Sequence, residues 1–287
     1  MLQVARLAPT LLGESSDLVP AFLRRSVNAD GGFMNRGGDS DLYYTVFGLE
    51  GLLAFGEDPP AATRQYLEAF GDGASLDLVH LTCLTRCWAS VAPGGCTLDL
   101  SAAILRRLET FRSRDGGYAI GRDADEGTVY ASFLALGATE DLNAPLPHRD
   151  RVLQSVADRR AADGGYANHR GAAEGSTPTT AAAAMIMRHL DADPDASVAG
   201  WLLARCHPDG GFLAAPAAPM PDLLSTATAL HTLAALNAPI DPVRERCLDF
   251  LDTLWTSTGG FYGSWADPTL DCEYTYYGLL ALGHLSL

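Results

Sequence analysis

The chain has 287 residues, of which 47% are hydrophobic and 19% charged, with a net charge of −15. All twenty of its basic residues are arginine, which excludes Schiff-base chemistry and a P-loop, and the acidic balance excludes a nucleic-acid groove. No apolar run reaches the ~18 residues of a membrane span, and the N-terminus, with Arg6 and the interruption at Gly13-Glu14, makes a poor signal peptide, so a cytoplasmic protein is expected.

The first helix is expected over about 16–27, with Ser16 or Asp17 as N-cap, and Asp30-Gly31-Gly32-Phe33 follows it. A second helix, about 41–55, ends at Gly56. The same Gly-Gly-aromatic signal recurs at Gly116-Gly117-Tyr118, Gly164-Gly165-Tyr166, Gly210-Gly211-Phe212 and Gly259-Gly260-Phe261. The intervals are nearly equal except the first, which holds two units, with Gly71-Asp72-Gly73 standing as a degraded copy. We read each Asp-Gly-Gly as a helix stop, with the first glycine in the left-handed C′ conformation and the aromatic packed back on the last turn.

Further along, helices are expected over 59–70 and 77–90, with a break at Pro93-Gly94-Gly95, then over 98–111 and 126–136. The rest fall at 147–160 with 179–190, 194–206 with 223–236, and 241–255 with 271–285, Asp241-Pro242 making a cap and first-turn pair. The helix before each Gly-Gly is amphipathic, whereas the one after it is apolar nearly all round and must be covered on all faces. The expected fold is therefore all-α: a single α/α toroid of six helical hairpins with an inner and an outer ring, its units near 15–56, 59–92, 97–139, 147–190, 194–238 and 241–287.

Such a ring encloses a central pocket, and the starts of the inner helices line its mouth. They share a frame: Asp41-x-x-Tyr44-Thr45, Asp271-x-x-Tyr274-Thr275, Asp222-x-x-Ser225-Thr226 and, more loosely, Asp77-x-x-His80. Helix capping explains such acids equally well. Tyr43, Tyr44, Phe47, Tyr130, Phe133, Tyr274, Tyr276 and Tyr277 cluster near three inner-helix starts, as core or as a wall suited to an isoprenoid and its carbocations. His231, Asp222 and Asp271 join Tyr43, Tyr44, Phe47, Tyr130, Tyr274 and Tyr277 as candidate substrate contacts. Closure of the ring sets Tyr44 and Tyr274 side by side. His80, Cys83 and Cys87 share a helix face, but no fourth metal ligand accompanies them, and the six cysteines, without a Cys-x-x-Cys, read as buried thiols.

With these turns and the closing Asp271-x-x-Tyr-Thr-Tyr-Tyr-Gly-Leu-Leu-Ala-Leu, the chain resembles the β subunits of protein prenyltransferases, most of all the Rab geranylgeranyl transferase kind. More distantly it resembles squalene-hopene and class II terpene cyclases. The prenyltransferase resemblance implies a zinc held by an Asp, a Cys two residues on and a His; here those positions read Asp222, Leu224 and Tyr274, and the diphosphate-binding bases are absent from 214–221 and near Ser176. No zinc or other cofactor is expected, and nothing in the sequence bears on magnesium. The cyclase resemblance implies an acidic motif, matched loosely by Asp123-Ala124-Asp125-Glu126, with Asp39-Ser40-Asp41 second, so Asp125, Asp123 and Asp41 are the candidate acids. The expectation is an isoprenoid-handling enzyme of this class. Its alternative is a non-catalytic module that binds a prenyl lipid, a protein partner or a second copy of itself.

Overall fold

The computed structural model describes residues 1–92 and 96–287, so the break expected at Pro93-Gly94-Gly95 lies outside the described residues. Two short helices absent from the sequence expectation, α1 (Leu2–Ala5) and α2 (Pro9–Leu12), precede the first hairpin. The hairpins follow as α3 (Leu18–Arg25) with α4 (Leu42–Ala54), α5 (Thr63–Glu68) with α6 (Leu78–Val91), and α7 (Leu98–Leu108) with α8 (Val129–Asp141). Then come α9 (Arg149–Ala157) with α10 (Thr177–His189), α11 (Ser197–Leu203) with α12 (Leu223–Ala235), and α13 (Asp241–Leu254) with α14 (Cys272–Leu285).

All six inner helices start alike. Asp41, Asp77, Thr128, Ser176, Asp222 and Asp271 are extended N-caps whose side chains each accept an amide N–H of the first turn. Each inner helix packs on its two inner neighbours, and α14 packs on α4, which closes the ring. The six starts therefore share one rim, the mouth. At the opposite end α1 lies on α4 and α14, with Val4 against Gly283.

The Gly-Gly signal works differently from the expected helix stop. In the first unit the helix has ended by Ser26, and residues 28–31 form a tight turn in which the Gly31 amide donates to the Asn28 carbonyl and the Asn28 amide to the Gly32 carbonyl. The same pair of bonds recurs at Ser113, Ala161, His207 and Thr256. Gly31, Gly116, Gly164, Gly210 and Gly259 all have φ between 89° and 99°, a conformation that favours glycine. The aromatic that follows is then tied to the inner helix: the amides of Phe33, Tyr118, Tyr166, Phe212 and Phe261 donate to the hydroxyls of Thr45, Ser132, Thr180, Thr226 and Thr275, at 2.9–3.3 Å. The Thr of the Asp-x-x-Tyr-Thr frame is thus a turn lock.

These turns take chain from the outer helices, which are accordingly shorter than expected. They also delay the third inner helix from 126 to Val129, because the Gly127 amide is held by Asp115 Oδ1 at 3.1 Å. The turn of the fifth unit closes as a two-residue antiparallel pair, β1 (Phe212–Leu213) with β2 (Pro221–Asp222).

Candidate functional site

The inner helices are buried except along one stripe each. On α4 the partly exposed positions include Tyr43, Tyr44 and Phe47, on α12 Leu224, Thr228 and His231, and on α14 Glu273, Tyr274 and Tyr277. Their spacing of three and four residues marks the single face that a helix in a closed ring can leave uncovered, the face toward the axis. These stripes define the lumen.

At the mouth the lumen holds a carboxyl group that the sequence analysis did not single out. Glu273, the second residue of α14, accepts a hydrogen bond from Tyr43 Oη of α4 at 2.6 Å. Burial, reinforced by the nearby Asp271 carboxylate, raises its pKa to about 7 despite the opposing Tyr43 bond. A glutamate two residues after an Asp cap reads in sequence as a first-turn acid answering the helix dipole. Only ring closure, which joins residues 230 apart, shows that it faces the axis.

Around Glu273 the aromatic wall is continuous. Tyr43 meets Tyr44 edge to face at 5.6 Å and Phe47 at 5.0 Å, while Phe47 lies 5.4 Å from Tyr277 and 6.0 Å from Tyr276. The seam between first and sixth helices is therefore made by Tyr43 and Phe47. No stacking of Tyr44 on Tyr274 accompanies it among the described residues; instead the Arg36 guanidinium covers the Tyr274 ring at 5.5 Å. Tyr130 stands at the rim, 38% exposed.

The acids of the rim are engaged. Asp41 Oδ1 accepts from the Tyr43 amide at 2.7 Å and its Oδ2 faces His80 Nε2 at 3.5 Å. His80 also meets Asp77 at 2.9 Å; although burial opposes its charge, the two carboxylates outweigh it and raise its pKa. Asp271 accepts from the Tyr274 amide and from Arg36 Nε, each at 2.8 Å. Asp222 uses both oxygens on Ser225, at 2.7 and 2.8 Å. With Leu224 and Tyr274 offering neither thiolate nor imidazole, the residues present do not fit the zinc of the resembling family, and no step runs through one.

Asp123 and Asp125 lie apart from this group. They sit on the outer loop after the third turn, exposed, with Asp125 paired to Arg114. Both stand at the surface, outside the lumen that Glu273 faces. His231 lies far down the lumen, its Nδ1 2.9 Å from His284 Nε2.

The family model for the prenyltransferase alpha-alpha toroid domain matches residues 15–82, 97–207 and 179–286. The chain belongs to that family. Among solved structures, this family member is similar to the type II terpene cyclase MstE from Scytonema, in a variant complexed with geranylgeranyl dihydroxybenzoate, at 14% identity over 97% of each chain with a TM-score of 0.64. It is also similar to the Candida albicans protein geranylgeranyltransferase-I complexed with GGPP, at 15% identity over 99% of this chain and 81% of that one, TM-score 0.53. A protein from Actinoplanes aligns over 95% and 98% at 14% identity, TM-score 0.59. Identities this low speak for the toroid fold alone. No curated protein matches the chain, and no described helix is long and apolar enough to cross a membrane.

Proposed function

We propose that this toroid is an isoprenoid-converting enzyme of the proton-initiated, cyclase-like kind, with Glu273 as the proton donor. The observation that carries the reading is the Glu273–Tyr43 pair: a carboxyl group with a pKa of about 7, facing an aromatic lumen. Roughly half of such groups hold a proton near neutral pH.

In this reading Glu273 adds its proton to a trisubstituted alkene of the bound chain. The alkene π pair forms the new C–H bond and a tertiary carbocation is left, while Glu273 becomes a carboxylate. Tyr43 Oη, already donating to it, stabilises that charge, and the faces of Phe47, Tyr44 and Tyr277 stabilise the cation. Attack by a second alkene closes a ring. Loss of a proton to a basic group then ends the sequence, so the overall change is an isomerisation. Transfer from a diphosphate fits the mouth less well, because Arg36 and Arg170 at this rim are already engaged, Arg36 by Asp267 at 2.7 Å and by Asp271, and Arg170 by Asp158 at 2.8 Å.

The test is incubation with farnesyl and geranylgeranyl compounds in heavy water. The product is expected to be an isomer carrying one deuterium from solvent, formed by the wild type and lost by at least a hundredfold in Glu273→Gln, the scale of general acid catalysis. Unchanged turnover in Glu273→Gln removes the assignment.

A further inference from the structure

The far end of the lumen is as polar as its middle is apolar. Following five of the six stripes away from the mouth, α4 reaches Glu50, α6 reaches Arg86, α8 reaches Asp141, α12 reaches His231 and α14 reaches His284. Arg86 joins the first three: Nη1 lies 3.2 Å from Glu50 Oε1 and Nε 2.9 Å from Asp141 Oδ2, while its Nη2 points toward Gly137, the next position of the α8 stripe. Glu50 is 5% exposed and His284 3%. Burial holds His231 at about 3 and His284 at about 4, so both are neutral. The His284 Nδ1 atom is buried without a hydrogen-bond partner.

A hydrocarbon end pressed on this cluster would strip the remaining solvation from its ion pairs, an arrangement that is disfavoured. An anion finds no surplus of positive charge here, because Glu50 and Asp141 balance Arg86 and the nearby Met1 ammonium, although Asp141 is raised to about 6 by burial. A neutral group that both donates and accepts, such as a hydroxyl, can accept from Arg86 Nη2 and donate to a carboxylate beside it.

We infer that the cluster of Glu50, Arg86, Asp141, His231 and His284 is a binding subsite for the neutral polar head of an isoprenoid substrate, which enters head down and leaves its terminal alkene at Glu273. This rests on the reading of the lumen as an isoprenoid site. Glu50 lies seven residues beyond Tyr43, and His284 eleven beyond Glu273, which at 1.5 Å per residue places the cluster about 10–16 Å below the acid. At about 5 Å per extended isoprene unit, built from single bonds near 1.5 Å, that depth suits a chain of two to three units. The substrate class is thus a C10–C15 isoprenoid with a hydroxyl or carbonyl end.

Two photoreactive analogues of farnesol test this on the wild-type protein, one with a diazirine beside the hydroxyl and one with it at the distal end, with cross-links mapped by mass spectrometry. The hydroxyl-end probe is expected to label the neighbourhood of Arg86, Gly137 and His231, and the distal probe that of Tyr43 and Tyr130. Reversed labelling overturns the orientation, and labelling by neither probe removes the isoprenoid reading together with it. Glu273→Gln is expected to keep the same cross-linking pattern, so loss of turnover with the pattern intact separates the acid assignment from the subsite. In a second measurement, the triple variant Glu50→Gln, Arg86→Met, Asp141→Asn loses at least tenfold in affinity for farnesol, relative to the C15 hydrocarbon. Equal losses for both ligands, or none for either, overturn the assignment.

Discussion

Glu273 and Tyr43 come from opposite ends of the chain, and the pair has a cost that can be measured. A glutamate raised from its usual 4.5 to about 7 binds its proton more tightly folded than unfolded. Between pH 4.5 and 7 the native state then holds more protons, so stability falls as pH rises through that window and stays low above it. Glu273→Gln, which removes the titration, is expected to melt higher than the wild type at pH 8, with the advantage vanishing near pH 4.5. Parallel melting curves of the two proteins across this range would refute the shifted carboxyl. The wild type's turnover should decline as pH rises above 7, because the acid is then ionised. Of the site, the aromatic wall was legible in the sequence because Tyr43, Phe47 and Tyr277 follow helical spacing. Glu273 was hidden, since a first-turn acid looks the same whether it answers a dipole or faces an axis; Asp123 and Asp125 stood out by local clustering, which carries no information about burial.

The repeated turn packs on the outer helix of the next hairpin, and its hydroxyl lock ties it to the inner helix of its own. Thr226→Val keeps the shape but strands the buried Phe212 amide, and the expected loss is about 1–3 kcal/mol, seen as a lower denaturant midpoint at unchanged slope. An unchanged midpoint would show that the lock is dispensable. In the third unit the turn is bolted to the outer helix as well. Arg159, fully buried, donates to Asp115 at 2.8 Å; against the effect of burial, bonds from Ser113, Arg159 and the amides of Gly117 and Gly127 hold the Asp115 carboxyl well below its ordinary range. Arg159→Met leaves that carboxylate the hydroxyls of Ser113 and Ser155, the two amides and the partly exposed Arg170, and a loss of about 1–3 kcal/mol is expected by denaturation. The alternation of amphipathic and apolar helices was enough to give the rings. The turn was misassigned because glycine after a helix suits a C′ position as well as a hairpin, and the deciding hydroxyl lies 12–14 residues on.

For the whole molecule, closure makes the last joint equivalent to the other five. Gly259 of the last turn lies against Leu18 of the first unit, where an added Cβ would fall 2.1 Å from the Leu18 carbonyl oxygen, and its φ is 93°. Gly259→Ala should therefore destabilise the ring by about 2 kcal/mol or more from strain and displacement, read as a lowered melting temperature. Because Val4 touches Gly283, the chain ends are near one another, and a circular permutant opened between α8 and α9 should fold to the same helix content; failure to fold would show that the closing joint differs in kind. The six inner helices also run parallel, all with their N-termini at the mouth. Each carries a dipole equivalent to about half a positive charge at that end and half a negative charge at the other. Their fields add along the axis, and the lumen becomes a one-way electrical slope: a cation born beside Glu273 is drawn away from its place of formation, toward Glu50 and Asp141, so that successive ring closures would proceed downhill and the final proton would be surrendered at the end opposite the one where the first was given.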